Sequence, residues 1–478
     1  MRASRATLLG VAAAALVAGV LVLVFGRIVP NYDDLYAIAW GRELAHGDTP
    51  QYFAAFTPAA HPGMNLLGVI ASPLGPGGAL VVFELLGLVS LGALAVGLFR
   101  LGEAVGSRAA GIAAALILIT RPVTLAYGLK SFVDAPTAAL VVWAAVLEAR
   151  TARRGPAVLV LLAIAGLLRP ECWLLAAAYA IWCASGLRSR TAASLARLLA
   201  LAATGPALWL ASDWIVTGDL LSRFRAVEPT GRSVSVGTSG GRTGLAEVPR
   251  ALAHDLGNWF GPIPLALVAI SCVACIALLP RRTAPPLAAI ALAILTFAAA
   301  GAAGASLEQR YLFPAVALLA FVAGIGLVLA PQRLGPLRGW AGIVIALGAA
   351  AVVGGFALRD AGQIGDVHDQ LAAETRFSRG LEQLAARGRS TLRSANHVYT
   401  GNPGITPLLA VRAERRPESF TPAPPPAGGL VAGDAAVVPL TAAAATYLAH
   451  SAVGLVAPPP PAGAHVVART SDWLLVAG

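Results

Sequence analysis

Asn31-Tyr32-Asp33-Asp34-Leu35-Tyr36-Ala37-Ile38-Ala39-Trp40-Gly41-Arg42-Glu43-Leu44-Ala45-His46-Gly47-Asp48 follows directly on the first long apolar run of the chain, residues 8–29. Two adjacent carboxylates thus stand where a membrane-length segment ends. Leu35, Ile38, Ala39 and Leu44 recur at helical spacing until Gly47, which predicts an amphipathic helix lying along the membrane surface. One reading of Asp33 or Asp34 is capping, because Asp is favoured at the N-cap and near the positive end of a helix. The other is chemical: a carboxylate at the water–lipid boundary can act as general base on an acceptor hydroxyl, with the leaving group departing on the opposite side. Neighbouring helical residues point about 100° apart, so one acid would be the base and the other would orient it or hold a cation.

Outward from this segment the chain reads as membrane protein. Of its 478 residues 57% are apolar and 12% charged, with a mean hydropathy of +0.73, too little polar surface to coat a soluble body of this size. Apolar stretches follow at about 78–99, 106–125, 133–149, 155–168, 171–187, 194–214, 258–279, 284–304, 311–330 and 338–357. With the first run they predict about eleven spans, the fourth to sixth short for a bilayer. Continuous apolar runs exclude a porin-type barrel. Arg2 and Arg5 before the first run, with no cleavage site after it, predict an uncleaved anchor with a cytoplasmic N-terminus.

The positive-inside rule fits this count. Arg100, Arg108, Arg150, Arg153, Arg154, Arg188, Arg190, Arg281, Arg282, Arg333 and Arg338 fall on inner loops, and every histidine falls outside. An odd number of spans puts the tail outside. The expected organisation is a bacterial plasma-membrane protein with a membrane domain over 1–357, outer loops at 30–77 and 215–257, and an extracytoplasmic domain over 358–478. That tail opens with a polar helical stretch, Asp360 to Arg387. It continues as short apolar runs, Thr406–Val411 and Ala435–Leu440, between proline clusters at 422–426 and 457–461, which predicts a small α/β fold.

The charge of +11 does not point to nucleic acid: Lys130 is the only lysine among 35 basic residues, and the arginines are spread thinly over loops as topology signals. The four cysteines lie in apolar segments, so Cys272 and Cys275 read as helix packing rather than a zinc or redox site. The Gly-rich stretch Gly231 to Gly244 lacks the lysine of a P-loop and reads as a mobile outer loop. Asp48, Asp213 and Asp219 read as solvated loop residues, and Glu84 as a buried acid paired within the bundle. A charge at the bilayer centre costs about 2.5–3.5 kcal/mol, so Arg169, Glu171, Glu308 and Arg310 should sit at a rim or face a cavity. The alternative for them is anchoring, as Arg169–Glu171 and Glu308–Arg310 pairs at helix ends.

The acidic pair, the aromatic-bearing helix ending Arg42-Glu43-Leu44-Ala45-His46-Gly47, and His61-Pro62 about thirty residues on resemble the GT-C type of polyprenyl-phosphate-sugar-dependent membrane glycosyltransferases. That superfamily includes protein O-mannosyltransferases, the aminoarabinose transferase of lipid A and the mycobacterial arabinofuranosyltransferases. Asp134 in Lys130-Ser131-Phe132-Val133-Asp134-Ala135-Pro136, Arg169-Pro170-Glu171, and Arg310-Tyr311-Leu312-Phe313-Pro314 resemble later family features. The resemblance covers about residues 8–330, and the tail from 358 matches no pattern of that kind.

The resemblance implies an all-α polytopic GT-C-like fold with about eleven transmembrane helices and a small extracytoplasmic α/β domain. It also implies an inverting glycosyltransferase that moves a sugar from a polyprenyl-phosphate carrier to an extracytoplasmic glycan, lipid or protein. Asp33 would be the catalytic base, with Asp34 or Asp134 orienting it; Asp34 stands where many members have Glu. Arg310, Lys130 and Arg169 would meet the donor phosphate, Arg310 foremost because guanidinium grips phosphate through two hydrogen bonds. His61, Tyr36, Arg42 and Glu171 are candidate contacts to acceptor or donor. No cofactor is demanded, since these cations answer the phosphate charge, although a divalent cation held by Asp34 stays open. The partners implied are the donor lipid, the membrane and the acceptor, without nucleic acid. The competing classes are a transporter or flippase of a lipid-linked intermediate, against which stand the charges gathered on one rim and the lack of a repeat, and a non-catalytic envelope assembly protein.

Overall fold

The computed structural model describes residues 2–54, 56–186, 191–222, 244–304, 306–329, 340–426, 428–446 and 463–478. It is a helical bundle capped at one end by a small mixed sheet. Helices α1 (Arg2–Phe25), α2 (Tyr32–Ala45), α3 (Pro62–Ala71), α4 (Gly75–Val105), α5 (Arg108–Ile119), α6 (Pro122–Leu129), α7 (Asp134–Arg150), α8 (Pro156–Leu168), α9 (Cys172–Ser185) and α10 (Ala192–Thr217) precede α11 (Val248–Phe260), α12 (Pro262–Leu278), α13 (Pro280–Ala302), α14 (Phe313–Val328) and α15 (Trp340–Arg387). α14 carries apolar side chains on every face and is buried on every face, from Phe313 to Val328, against α4, α5, α7, α12 and α13. It is the centre of the bundle.

Five described stretches are long and apolar enough to cross a membrane, or seven if each of two bent pairs counts as one span. Several expected spans therefore take another form. The run at 106–125 bends by 73° between α5 and α6. Arg121, extended at ψ 125 before Pro122, breaks it there, as the residue before proline is pushed out of the α region. The buried Arg121 guanidinium pairs with Asp360 of α15 at 2.6 Å, fixing the break against that helix. The runs at 155–168 and 171–187 are the short helices α8 and α9, and that at 258–279 bends by 106° between α11 and α12.

The boundary expected at 357/358 falls inside α15, which runs unbroken for 48 residues. Beyond it lie α16 (Arg389–Ser394), β1 (Val398–Tyr399), α17 (Thr406–Ala413), β2 (Phe420–Thr421), β3 (Ala435–Pro439), α18 (Ala442–Thr446), β4 (His465–Arg469) and β5 (Trp473–Ala477). The sheet order is β2-β1-β3-β5-β4, with β1 parallel to β2 and β3, and β5 antiparallel to β3 and β4. β3 and β5 are buried on both faces. Ala435, Val437, Trp473 and Leu475 enter one core, and Ala436, Val438, Leu474 and Val476 another, as side-chain alternation along a strand requires.

The first of those cores also contains Leu35, Ile38 and Ala39 of α2, Met64 of α3 and Leu80 and Phe83 of α4. The C-terminal domain and the acidic loop thus share one apolar interior. α2 is consequently buried nearly all round, at Tyr32, from Asp34 to Gly41 and at Glu43, rather than along a single face. Its contact with α3 is backbone against backbone. A Cβ on Gly41 would lie 2.3 Å from the carbonyl carbon of Gly68, and one on Gly68 would lie 2.2 Å from the carbonyl oxygen of Ala37. Gly68→Ala is expected to lower the unfolding midpoint in detergent by the equivalent of about 1–3 kcal/mol, because neither helix can yield without moving the acidic segment. An unchanged midpoint would show that the crossing relaxes freely.

Asp213 departs from its expected place in a solvated loop: α10 continues to Thr217, and Asp213 is fully buried inside it. Glu84 is partly rather than fully buried and pairs at 2.8 Å with Arg27, an exposed residue in the segment between α1 and α2. Arg188, Arg190, Arg333, Arg338, the stretch from Gly231 to 243 and the prolines at 457–461 lie outside the described residues.

Candidate active site

Asn31, not either aspartate, caps α2. Its Oδ1 accepts from the backbone N–H of Asp33 at 2.8 Å and of Asp34 at 3.2 Å. Asn31 is itself fixed: its backbone N and its Nδ2 both donate to the Lys130 carbonyl at 3.0 Å. Both carboxylates are therefore spared from capping.

They face different surroundings. Asp33, about 17% exposed, accepts a hydrogen bond from Arg310 Nη1 at 3.1 Å across 277 residues of sequence, while Arg310 Nε lies 3.0 Å from Glu308 Oε2. Asp34 is buried, and its Oδ2 finds no hydrogen-bond partner. Burial holds its carboxyl well above the usual range, the charges of Asp33 and Asp134 add to this, and the Ser131 hydroxyl opposes it. A carboxyl that resists ionisation is the less suited of the two to accept a proton. Within the pair, Asp33 is the partly exposed acid with a guanidinium beside it.

A second ion pair lies alongside. Arg169, at the end of α8, donates to Asp134 Oδ1 from Nε at 2.8 Å and also from Nη2. Both are buried, and the two donors converge on Oδ1 while Oδ2 finds no hydrogen-bond partner, so the ion pair replaces only part of the hydration lost. Tyr311 ties the two pairs together, its ring lying 4.3 Å from the Arg169 guanidinium and 5.9 Å from that of Arg310, which also lies 5.3 Å from the centre of the Phe132 ring. Segments around 31–34, 132–134, 169–171 and 308–311 thus converge.

Other sequence candidates are placed elsewhere or otherwise engaged. Lys130 Nζ pairs with Glu374 of α15 at 2.9 Å, so its ammonium is committed to holding that helix. Arg169 pairs with Asp134 rather than Glu171, whose Oε2 is buried without a hydrogen-bond partner. Tyr36 is buried in an aromatic stack, its ring centroid 5.0 Å from those of Tyr32 and Trp40. His61 stands at the N-cap of α3, edge-on to Trp209 at 5.9 Å. Arg42 is nine residues along α2 from Asp33, a rise of about 14 Å, at the other end of the helix. Sequence reading missed Asn31 and Phe132. An Asn directly before an acidic helix start is itself a capping signal, whereas nothing local marks Phe132.

Next to Arg42, Glu43 is buried with neither carboxylate oxygen hydrogen-bonded. Burial, then the charge of Glu418, pushes its carboxyl from 4.5 to about 7, with Arg416 and Arg42 opposing and Asp48 adding. Between those values the folded chain holds a proton that the unfolded chain has lost, so stability falls as pH rises from about 4.5 to about 7 and stays low above it. Glu43→Gln is expected to remove this slope and to raise stability at pH 8 by up to about 3 kcal/mol. Unfolding midpoints measured from pH 5 to pH 8 check this. Parallel pH profiles of the variant and the wild type would remove Glu43 as the source.

Neither a family model nor a curated protein sequence matches the chain. Solved structures do match it in three dimensions. ArnT from Cupriavidus metallidurans bound to undecaprenyl phosphate is 17% identical with a TM-score of 0.55, the alignment covering 99% of this chain and 98% of that one. The same protein in the apo state is 16% identical at 0.56, over 100% and 98%. The Archaeoglobus fulgidus oligosaccharyltransferase in its apo form is 12% identical at 0.53, over 92% and 71%. Both proteins have the GT-C architecture, and the fold of this chain is the GT-C fold with a C-terminal α/β domain. The likeness to ArnT runs through the tail as well, beyond the segment that the sequence motifs reach.

Proposed function

We propose that this GT-C-fold chain is an inverting glycosyltransferase that moves a sugar from a polyprenyl-phosphate carrier to an acceptor hydroxyl outside the plasma membrane. The observation that carries the reading is the Asp33–Arg310 pair, on a helix whose cap is supplied by Asn31. In support stand the undecaprenyl phosphate bound to ArnT and the glycosyl-transfer chemistry of both neighbours. Asp33 takes the proton of the acceptor hydroxyl, and the acceptor oxygen bonds to the anomeric carbon. The carbon–oxygen bond to phosphate breaks on the opposite face, and the carrier leaves as polyprenyl phosphate. The configuration inverts because attack and departure lie on opposite sides.

Arg310 has two tasks in this scheme. It pairs with Asp33 before the donor arrives, and its guanidinium answers the charge that grows on the departing phosphate. An incoming phosphate competes with Asp33 for Arg310, so donor binding frees the base at the moment it is needed. Asp134 and Arg169 hold Tyr311 and the neighbouring segment in place, and the membrane helices present the site on the extracytoplasmic side, with the C-terminal domain packed against α2.

The test is release of free polyprenyl phosphate from a panel of polyprenyl-phosphate sugars by the purified chain with an envelope acceptor extract. Release from one donor is the expected result. No release from any donor, with a known transferase active in the same extract, would reject the reading. Arg310→Lys is expected to raise the KM for donor at least tenfold, because an ammonium cannot reproduce the two-pronged grip. An unchanged donor KM would take the phosphate away from Arg310.

A further inference from the structure

A cavity of about 610 Å³ opens between the C-terminal end of α2, the start of α4 and the α17 end of the C-terminal domain. It is within the usual size range of small-molecule sites. Glu43 lies ten residues from Asp33, a rise of about 15 Å along the helix, and the cavity wall formed by Ile38, Ala39 and Arg42 faces away from Asp33 around the helix. A molecule held here does not touch the carboxylate proposed to react.

The lining holds two buried groups with unmet hydrogen-bonding capacity. Both oxygens of Glu43 lack donors, and Arg42 Nη1 lacks an acceptor. The other guanidiniums are engaged: Arg415 donates to the carbonyls of Leu392, Ala395 and Asn396, and Arg416 pairs with Asp48 at 2.6 Å. An anion would meet one available guanidinium beside a carboxylate, and an ammonium would meet that carboxylate beside a guanidinium. The lining charges also balance, Arg42, Arg415 and Arg416 against Glu43, Asp48 and Glu414. A hydroxyl group satisfies both unmet groups, since it donates to Glu43 and accepts from Arg42. Ile38, Ala39, Ala79 and Val411 offer apolar wall to C–H surface.

We infer that this cavity is a second, non-reacting site that takes one unit of a neutral saccharide, held between the acidic-loop helix and the C-terminal domain. It deepens the transferase reading in one respect, by making the acceptor a glycan chain: a polymer retained here by one of its sugars raises the local concentration of the hydroxyls presented to Asp33.

Binding is measured apart from transfer, on the detergent-solubilised full chain at pH 8. The probes are the methyl glycosides of arabinofuranose, mannose, glucose and galactose, with inorganic phosphate in parallel. Saturation-transfer NMR and thermal shift are read for the wild type, Asp33→Asn, Glu43→Gln and Ser72→Phe, the last placing a ring in the cavity from a half-buried position. At least one glycoside is expected to bind the wild type and Asp33→Asn equally, at least tenfold more weakly to Glu43→Gln, and not at all to Ser72→Phe. Absence of binding by every glycoside, binding of phosphate alone, or glycoside binding that neither cavity variant weakens overturns the inference. Because Asp33→Asn keeps this site, loss of transfer and loss of saccharide binding are separable.

Discussion

Asp33→Asn is expected to lower sugar transfer by about 10²–10⁴-fold, the range that a positioned general base contributes, while the chain still folds and inserts. The amide keeps the shape of the carboxylate, and Arg310 retains Glu308 at 3.0 Å, so the substitution leaves no buried guanidinium alone. Asp34 is a poor substitute, because its carboxyl is buried and burial raises its pKa. The measurement is release of polyprenyl phosphate by variant and wild type at equal amounts of folded protein. Transfer within a few-fold of wild type would remove Asp33 from the role of base and leave Glu308 as the next carboxylate beside Arg310.

The second large effect is on stability. Arg169→Met leaves the Asp134 carboxylate buried without its guanidinium, and breaking a buried pair from one side costs about 3–5 kcal/mol. The double variant Asp134→Asn, Arg169→Met removes the stranded charge and is expected to recover most of the loss in unfolding midpoint. Recovery of stability without recovery of activity would separate the pair's structural part from its part in placing Tyr311. Equal stability of Arg169→Met and wild type would mean that water reaches Asp134 and the pair is not sealed.

Much of this was legible in the sequence because it is local chemistry. Apolar run length marks membrane helices, and the acidic pair after the first run marks the candidate site. The Arg310-Tyr311-Leu312-Phe313-Pro314 motif marks the start of the central helix α14. The balance of strand-like and helix-like runs after Asp360 announced a small α/β domain, and the sheet and α17 stand where those runs fall. The span count was less legible, since an apolar run reads alike whether it crosses straight or bends, as at Arg121-Pro122.

Pairing was not legible at all. Arg169 has Glu171 two residues away and binds Asp134 instead, and Lys130 reaches Glu374 across 244 residues. Such choices depend on which helix ends meet, and no periodicity encodes that. The same holds for the cavity beside Glu43, built from the end of α2, the start of α4 and the segment after α17, and for the burial that sets Asp34 apart from Asp33. The sequence by itself determined a polytopic membrane chain, its acidic first loop and the residue types able to do transfer chemistry, because hydrophobicity and charge act residue by residue. Only the tertiary structure decided which carboxylate is buried, which guanidinium stands opposite Asp33 and where the C-terminal domain packs on α2, because those outcomes follow from desolvation and distance between segments far apart in the chain.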